Sequence, residues 1–301
     1  MKCLLIYNPF SRSRKVKNHI DFIVRYLGRK YDSIEIYCSK GIKSITKFVY
    51  ERNRDFDLIV VCGGDGTVNE AINGLLKSDS KTPIGIIPTG TCNDLSKMLC
   101  FHKSLKKQLD LIVNGTVVSM DTCKINDSFY TYAAAIGKYT DVSYCAARRA
   151  KRIFGRIAYF LAGLGEFGKY IKLQLKIKTN ENYIVGNYYV VLALNTDRVA
   201  GFKINREQNI KLNDGLIDLT LIEKNGESIT WPRLAKFFIR GDKQKKGVHT
   251  FKTNHIEIIS KEDLKVNTDG ELAYNTKNVV IDVLPKTLNI VVSKNIKDKY
   301  F

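Results

Sequence analysis

Residues 57–70 read Asp-Leu-Ile-Val-Val-Cys-Gly-Gly-Asp-Gly-Thr-Val-Asn-Glu, an apolar strand running into a glycine-rich turn with one carboxylate between the glycines. Leu58 to Val61 is the continuous apolar run of a buried strand, and Ala71, Ile72, Leu75 and Leu76 recur at helical spacing. With a strand before it and a helix after it, the turn gathers backbone amides at one point. Gly63, Gly64 and Gly66 let that backbone close on an anion at the amino end of the helix. Asp65 would repel a bare phosphate, so its presence points to a bridging metal ion or to a hydroxyl partner. The expected ligand is a nucleotide carrying Mg²⁺.

A second strand-to-turn unit follows at residues 84–94, Ile-Gly-Ile-Ile-Pro-Thr-Gly-Thr-Cys-Asn-Asp. Pro88 ends the strand and Gly90 permits a close turn. Thr91, Asn93 and Asp94 then offer a hydroxyl, an amide and a carboxylate at the start of a helix through Leu95 and Met98. Read alone, Asn93 or Asp94 is equally an ordinary N-cap. Around these turns the first part of the chain alternates strand and helix. Strands fall near Leu4–Tyr7, Ser33–Cys38, Leu58–Val61 and Ile84–Ile87; helices fall near Lys15–Leu27, Ile42–Arg52, Ala71–Leu76 and Leu105–Val113. Such alternation means a parallel sheet flanked by helices, with its ligand at the carboxyl ends of the strands. After Met120-Asp121 the texture turns strand-like, near Phe129–Ala135, Ile171–Lys178, Tyr188–Leu194, Ile217–Ile222, Ile256–Ile259, Val279–Leu284 and Leu288–Val292. Helical spacing interrupts it from about Val142 to Phe167 and near Leu234 to Ile239. The expected organisation is an α/β domain over 1–121 and a β-rich domain over 122–301, whose last strand is free to return to the first.

Gly63 to Glu70 taken with Pro88 to Asp94 resembles the diacylglycerol kinase catalytic domain of bacterial lipid kinases, which are similar to sphingosine and ceramide kinases. Asn8-Pro9-Phe10-Ser11 resembles that family's Asn-Pro-x-Ser-Gly nucleotide loop. Leu212-Asn213-Asp214-Gly215-Leu216 resembles its metal-site loop, and Thr268-Asp269-Gly270-Glu271 its late Asp-Gly-Glu motif. Four ordered motifs are far more specific than the Gly-Gly-Asp-Gly-Thr element, which NAD kinases and phosphofructokinases share. The resemblance implies a β-sandwich second domain, ATP and Mg²⁺, and a lipid alcohol such as diacylglycerol as acceptor. It places Asn8, Pro9, Ser11, Arg12, Ser39, Gly63, Gly64, Asp65, Gly66, Thr67, Asn69, Thr91, Asn93, Asp94 and Asp121 around the nucleotide. Glu271 becomes the base, facing Asp65 across an interdomain cleft. Asp214, with the carbonyls of Lys211 and Leu216, would hold a second, structural Mg²⁺. Each carboxylate also has a plainer reading: Glu271 as a hairpin-turn residue, Asp121 as a turn residue after its strand, Asp214 as half of an ordinary Asp-Gly turn. Arg12 stands where the family has glycine, which substitutes a guanidinium for a backbone amide.

Across the 301 residues, 49 Lys and Arg face 30 Asp and Glu, a net charge of +19 that suits an anionic partner. Arg148, Arg149, Lys151, Arg152 and Arg156 lie beside the apolar series Ile153, Phe154, Ile157, Phe160, Leu161, Leu164 and Phe167, giving a basic shoulder next to a face that serves equally as core. Lys243, Lys245, Lys246 and Lys252 form a second cluster. With a lipid acceptor implied, the expected partner is an anionic membrane surface and not nucleic acid. Seven cysteines, odd in number and without a Cys-x-x-Cys pair, suggest reduced thiols, and the four histidines match no motif. No apolar run reaches the roughly 18 residues of a membrane span. A cytoplasmic enzyme held peripherally at the inner face of the membrane is expected, with a homodimer left open and Lys294–Lys299 as a solvated tail. The competing readings are an NAD kinase or other small-molecule kinase, and a non-catalytic nucleotide-binding regulator. Intact Asp65, Asn93, Asp94 and Glu271 count against the regulator.

Overall fold

The computed structural model describes residues 1–9, 17–90, 93–99, 102, 104–137, 173–196, 198–199, 202–203, 210–223, 247–269 and 271–301. The helices expected at Val142–Phe167 and Leu234–Ile239, and the basic residues of Arg148–Arg156 and Lys243–Lys246, lie outside them. The chain divides into two units, Met1–Thr122 with Asn209–Gly215 and Leu284–Phe301, and Cys123–Gln208 with Leu216–Val283.

In the first unit the apolar runs form parallel strands β1 (Lys2–Tyr7), β2 (Ser33–Cys38), β3 (Leu58–Gly63) and β4 (Ile84–Pro88). Helices α1 (Ile20–Leu27), α2 (Ser44–Arg52), α3 (Asp65–Lys77), α4 (Asp94–Leu99) and α5 (Leu105–Asn114) connect or follow them. The strand order is β2-β1-β3-β4, set by pairs such as Leu5↔Ile36, Leu5↔Val60 and Val60↔Gly85. Cys3, Leu5, Val60 and Cys62 pack against α1 and α5 through Ile23, Leu27, Leu109 and Ile112. Their strand neighbours Leu4, Ile6, Ile59 and Val61 point the other way and are equally buried, as a sheet covered on both faces demands. The chain runs outward from β1 to β2, then crosses back to β3. Between β1 and β3 the direction reverses, and the crevice outside their carboxyl ends is where open α/β sheets take ligands. Helix α3 begins at Asp65, ahead of the apolar periodicity, because Gly66, Thr67 and Asn69 carry no apolar signal. The tail expected to be solvated is helix α6 (Lys294–Tyr300): its lysines are exposed, but Tyr300 is buried and its carbonyl accepts the Leu212 N–H at 2.9 Å.

Strand β5 (Thr116–Ile125) leads into the second unit, which holds β6 (Ser128–Tyr130), β7 (Ala133–Gly137), β8 (Leu173–Thr179), β9 (Tyr183–Leu194), the short pair β10 (Arg198–Val199) and β11 (Phe202–Lys203), β12 (Ile217–Glu223), β13 (Val248–Thr253) and β14 (His255–Thr268). β15 (Glu271–Val292) is one strand where the sequence suggested two; from Leu284 it belongs to the first unit, where Ile290 pairs with Ile84. In β8, Leu173, Leu175 and Ile177 face inward while Gln174, Lys176 and Lys178 face out, the period of a half-buried strand. The long strands change partner midway. β14 pairs with β8 over Ile256–Ser260 and with β7 over Lys265–Thr268, and β9 pairs with β8 before reaching β7 and β12. The result is the expected β-sandwich, around a core that includes Tyr130, Leu175, Val191, Leu219, Ile258 and Ile281. Among the described residues no helix is long and apolar enough to cross a membrane.

Candidate functional site

The two glycine-rich turns of the first unit form one assembly. β3 ends at Gly63, Gly64 is extended (φ −90°, ψ −175°), and α3 starts at Asp65 with the Val68 N–H donating to the Gly64 carbonyl at 3.0 Å. The Asp65 carboxylate turns to the other motif, where one oxygen accepts the Asn93 N–H and the other the Asp94 N–H, both at 2.7 Å. These amides open α4, so a charge from one turn caps the helix of the next. Asn93 is left-handed (φ 51°) and closes its own loop: its Oδ1 accepts the Gly90 N–H and its Nδ2 donates to the Gly90 carbonyl, both at 2.9 Å. The Thr89 N–H donates to the Gly63 carbonyl at 2.9 Å. Gly64 and Gly90 touch. A Cβ on Gly64 would stand 3.0 Å from the Gly90 Cα, and a Cβ on Gly90 would stand 2.8 Å from Asn93 Oδ1. Burial pushes the Asp65 carboxyl pKa up, and the two amides pull against that rise by favouring the charged form. The carboxylate assigned from sequence to a metal ion or hydroxyl thus has amide partners first.

The crevice between β1 and β3 is lined by the same segment. Asn8, just past β1, donates from Nδ2 to Thr67 Oγ1 at 3.3 Å and from its N–H to the Cys62 carbonyl at 3.4 Å. Ser39 follows β2; its N–H donates to the Tyr7 carbonyl at 3.0 Å, and its hydroxyl lies 3.4 Å from Ser44 Oγ at the start of α2. Gly66 and Asn69 belong to the opening of α3, where the Asn69 carbonyl accepts Asn73 Nδ2 at 3.0 Å. Pro9 follows Asn8, while Ser11, Arg12 and Thr91 fall outside the described residues. Thr89, passed over in the sequence, has a buried hydroxyl with no hydrogen-bond partner among the described residues. Leaving such a group unmatched costs about 1–3 kcal/mol, which a ligand oxygen would recover.

Asp121 is neither a turn residue nor at a strand end. It sits within β5, fully buried, and its carboxylate accepts the Gly215 N–H at 2.6 Å and the Lys286 N–H at 2.8 Å, while its own N–H donates to the Leu212 carbonyl at 2.7 Å. Burial raises its pKa and the charge of Asp214 adds to the rise. Asp214 itself is exposed, next to Gly215 in the left-handed region (φ 75°). Lys211 and Asp214 fall in the first unit and Leu216 opens the second. Among the described residues no group of three or more His, Cys, Asp or Glu is placed to hold a metal ion. A carboxylate with loop carbonyls is nevertheless a set of hard oxygens, chemistry that fits a hydrated Mg²⁺.

In the second unit Glu271 opens β15 and pairs with Thr268 across a turn at Asp269, which is left-handed at φ 49°. Asp269 is only 4% exposed. One of its carboxylate oxygens accepts the Thr131 N–H at 2.8 Å and the Thr131 hydroxyl at 2.9 Å; the other accepts the Tyr132 N–H at 3.0 Å and the Ala133 N–H at 3.1 Å. Sequence reasoning assigned this aspartate no role, because its partners lie more than a hundred residues away.

Residues 2–125 match the family model described as the diacylglycerol kinase catalytic domain, and residues 136–292 match the YegS C-terminal NAD kinase beta sandwich-like domain. The chain is 28% identical over 271 residues to a diacylglycerol kinase of Bacillus subtilis (strain 168), covering 89% of this chain and 88% of that one. It is 30% identical over 272 residues to a diacylglycerol kinase of Staphylococcus epidermidis (strain ATCC 12228), covering 89% and 84%. Among solved structures, a candidate diacylglycerol kinase from Bacillus anthracis str. Sterne superposes with a TM-score of 0.84 at 26% identity over 98% of each chain. With the joined glycine turns in one unit, the sandwich in the other and both domain models matched in order, the chain belongs to the diacylglycerol kinase family.

Proposed function

We propose that this protein is an ATP-dependent lipid kinase that transfers the γ-phosphoryl group to the hydroxyl of diacylglycerol or a related lipid alcohol. The observation that carries the reading is the clamp of Asp65 on the amides of Asn93 and Asp94, which presents two glycine turns together beside the crevice at Asn8. In this reading the amides of Gly63–Thr67 and the amino end of α3 cradle the phosphates. Asn8, Pro9, Ser11, Arg12, Ser39, Asn69, Thr91 and Asp121 complete the nucleotide's surroundings, and the unmatched Thr89 hydroxyl donates to it. Asp65 serves the reaction by holding this array. Mg²⁺, when bound, neutralises the charge that develops on the transferring group. Asp214, with the carbonyls of Lys211 and Leu216, would hold a second ion. Glu271 takes the proton of the lipid hydroxyl; the oxygen attacks the γ-phosphorus, and the bond to the ADP oxygen breaks with its electrons leaving on ADP. A net charge of +19 favours approach to an anionic bilayer, where the acceptor resides.

Incubation with radiolabelled ATP and Mg²⁺, against mixed micelles of diacylglycerol, monoacylglycerol, ceramide, sphingosine or undecaprenol and separately against NAD, tests this. Label in a lipid supports it, whereas label only in NADP, or in nothing, overturns it. Glu271→Gln is expected to abolish transfer while leaving ATP binding intact; retained turnover would remove Glu271 from the base role. Tight binding to DNA in about 0.2 M salt with no lipid dependence would favour the regulator instead.

A further inference from the structure

Resting on that reading of Glu271, we infer that Asp269 is a positioning residue: its buried carboxylate, gripped by Thr131, Tyr132 and Ala133, fixes the turn from which the base departs. An Asp-Gly hairpin turn that merely reverses the chain is solvent-exposed and needs no outside partner. Asp269 is instead buried and held through its carboxylate, its N–H and its carbonyl. Besides the four donors on its carboxylate, the Asp269 N–H donates to the Ala133 carbonyl at 2.8 Å, and the Asp269 carbonyl accepts the Tyr132 hydroxyl at 2.9 Å.

The partners explain why a carboxylate is required. Thr131 and Tyr132 occupy the break between β6 and β7, where the Asp269 carboxylate takes up their amides inside the protein. Only an acceptor with several lone pairs at one point satisfies three amides and a hydroxyl together, and an ionised carboxylate is the side chain that offers this. The break is braced from behind by Asn195, 2% exposed, whose N–H donates to the Tyr132 carbonyl at 2.9 Å. The turn therefore has a rigid footing, and the Thr268↔Glu271 pairing carries that rigidity to the backbone of the base. Proton transfer to a base falls off steeply with misplacement, so loosening this footing should slow the chemical step while sparing nucleotide binding, whose residues lie in the first unit.

The test uses Asp269→Asn, Thr131→Val and Thr131→Ser in the full chain, assayed for transfer to diacylglycerol micelles below the melting temperature of each variant. Asp269→Asn keeps the shape but sets a carboxamide NH₂ donor against backbone N–H donors; it should lower kcat about 100-fold with the KM for ATP within about twofold of wild type. Thr131→Val removes only the hydroxyl and should lower kcat about fivefold, while Thr131→Ser, which keeps it, should stay near wild type. If Asp269→Asn does not fold, the Thr131 pair decides. A folded Asp269→Asn with wild-type kcat, or a Thr131→Val that loses thermal stability alone, overturns the inference and leaves the kinase reading standing. A wild-type protein that phosphorylates no lipid overturns both.

Discussion

Asp65 and Asp269 each precede a glycine in the sequence, and each has its carboxylate engaged by backbone N–H groups, but Asp65 is half-buried at the start of α3 while Asp269 is buried in a turn. What they hold differs. Asp65 reaches 28 and 29 residues along the chain to the start of a helix, where the macrodipole already favours negative charge. Asp269 reaches across 136 to 138 residues to a gap between strands, where no helix dipole helps. One aspartate joins two turns that would fold locally anyway. The other holds open a place where the sheet has failed, so its removal should cost the fold more.

The largest expected effect follows from that contrast. Asp269→Ala strands three amides and a hydroxyl, and urea unfolding should show a loss of about 3–5 kcal/mol. A loss below about 1 kcal/mol would mean that water replaces the carboxylate and that the two sites are alike. Asp65→Asn keeps one good acceptor and opposes the second amide. Its expected cost is about 2 kcal/mol, with affinity for a non-hydrolysable ATP analogue, read by calorimetry, reduced about 30-fold. Gly90→Ala leaves the clamp intact but drives a methyl against Gly64 and Asn93. A strain of about 1–2 kcal/mol in thermal unfolding should accompany weaker nucleotide binding, and unchanged binding would show that the clamp alone sets the cradle.

The smallest effect lies on the sandwich surface, away from both aspartates. His255 Nδ1 lies 2.6 Å from an Asp282 oxygen and its Nε2 lies 3.1 Å from Glu257, contacts that raise the imidazole pKa above its ordinary 6.5. The protonated form is the one the folded state favours. Its stabilisation is complete below pH 6.5 and fades as pH rises through the elevated folded value. Melting temperature should fall by about 1–3 °C across that window, a slope that His255→Gln removes.

Much of the first unit was legible because its signals are local. An apolar run, then glycines, then helical spacing is a βα unit whatever follows, and the reversal between β1 and β3 turns three such units into a crevice. Burial of Cys3, Cys62 and Cys123 follows from their places in apolar strands, and it pushes the Cys3 thiol to about 12. The lysines of the tail are exposed as expected, while the buried Tyr300 just beyond them has no periodicity to announce it. The plainer reading of Asp121 as a turn residue failed for a related reason. A carboxylate following Met120 looks like a strand end, and only the arrival of Gly215 and Lys286 from distant segments makes burial in mid-strand affordable.

The amino-acid sequence by itself determined the two-part architecture, the family motifs and the glycine turns, since each follows from the steric and hydrophobic preferences of adjacent residues. The tertiary structure alone decided which amides each buried carboxylate would meet. Desolvating a charge is tolerable only where enough donors converge, and donors from opposite ends of a chain converge through folding and not through spacing.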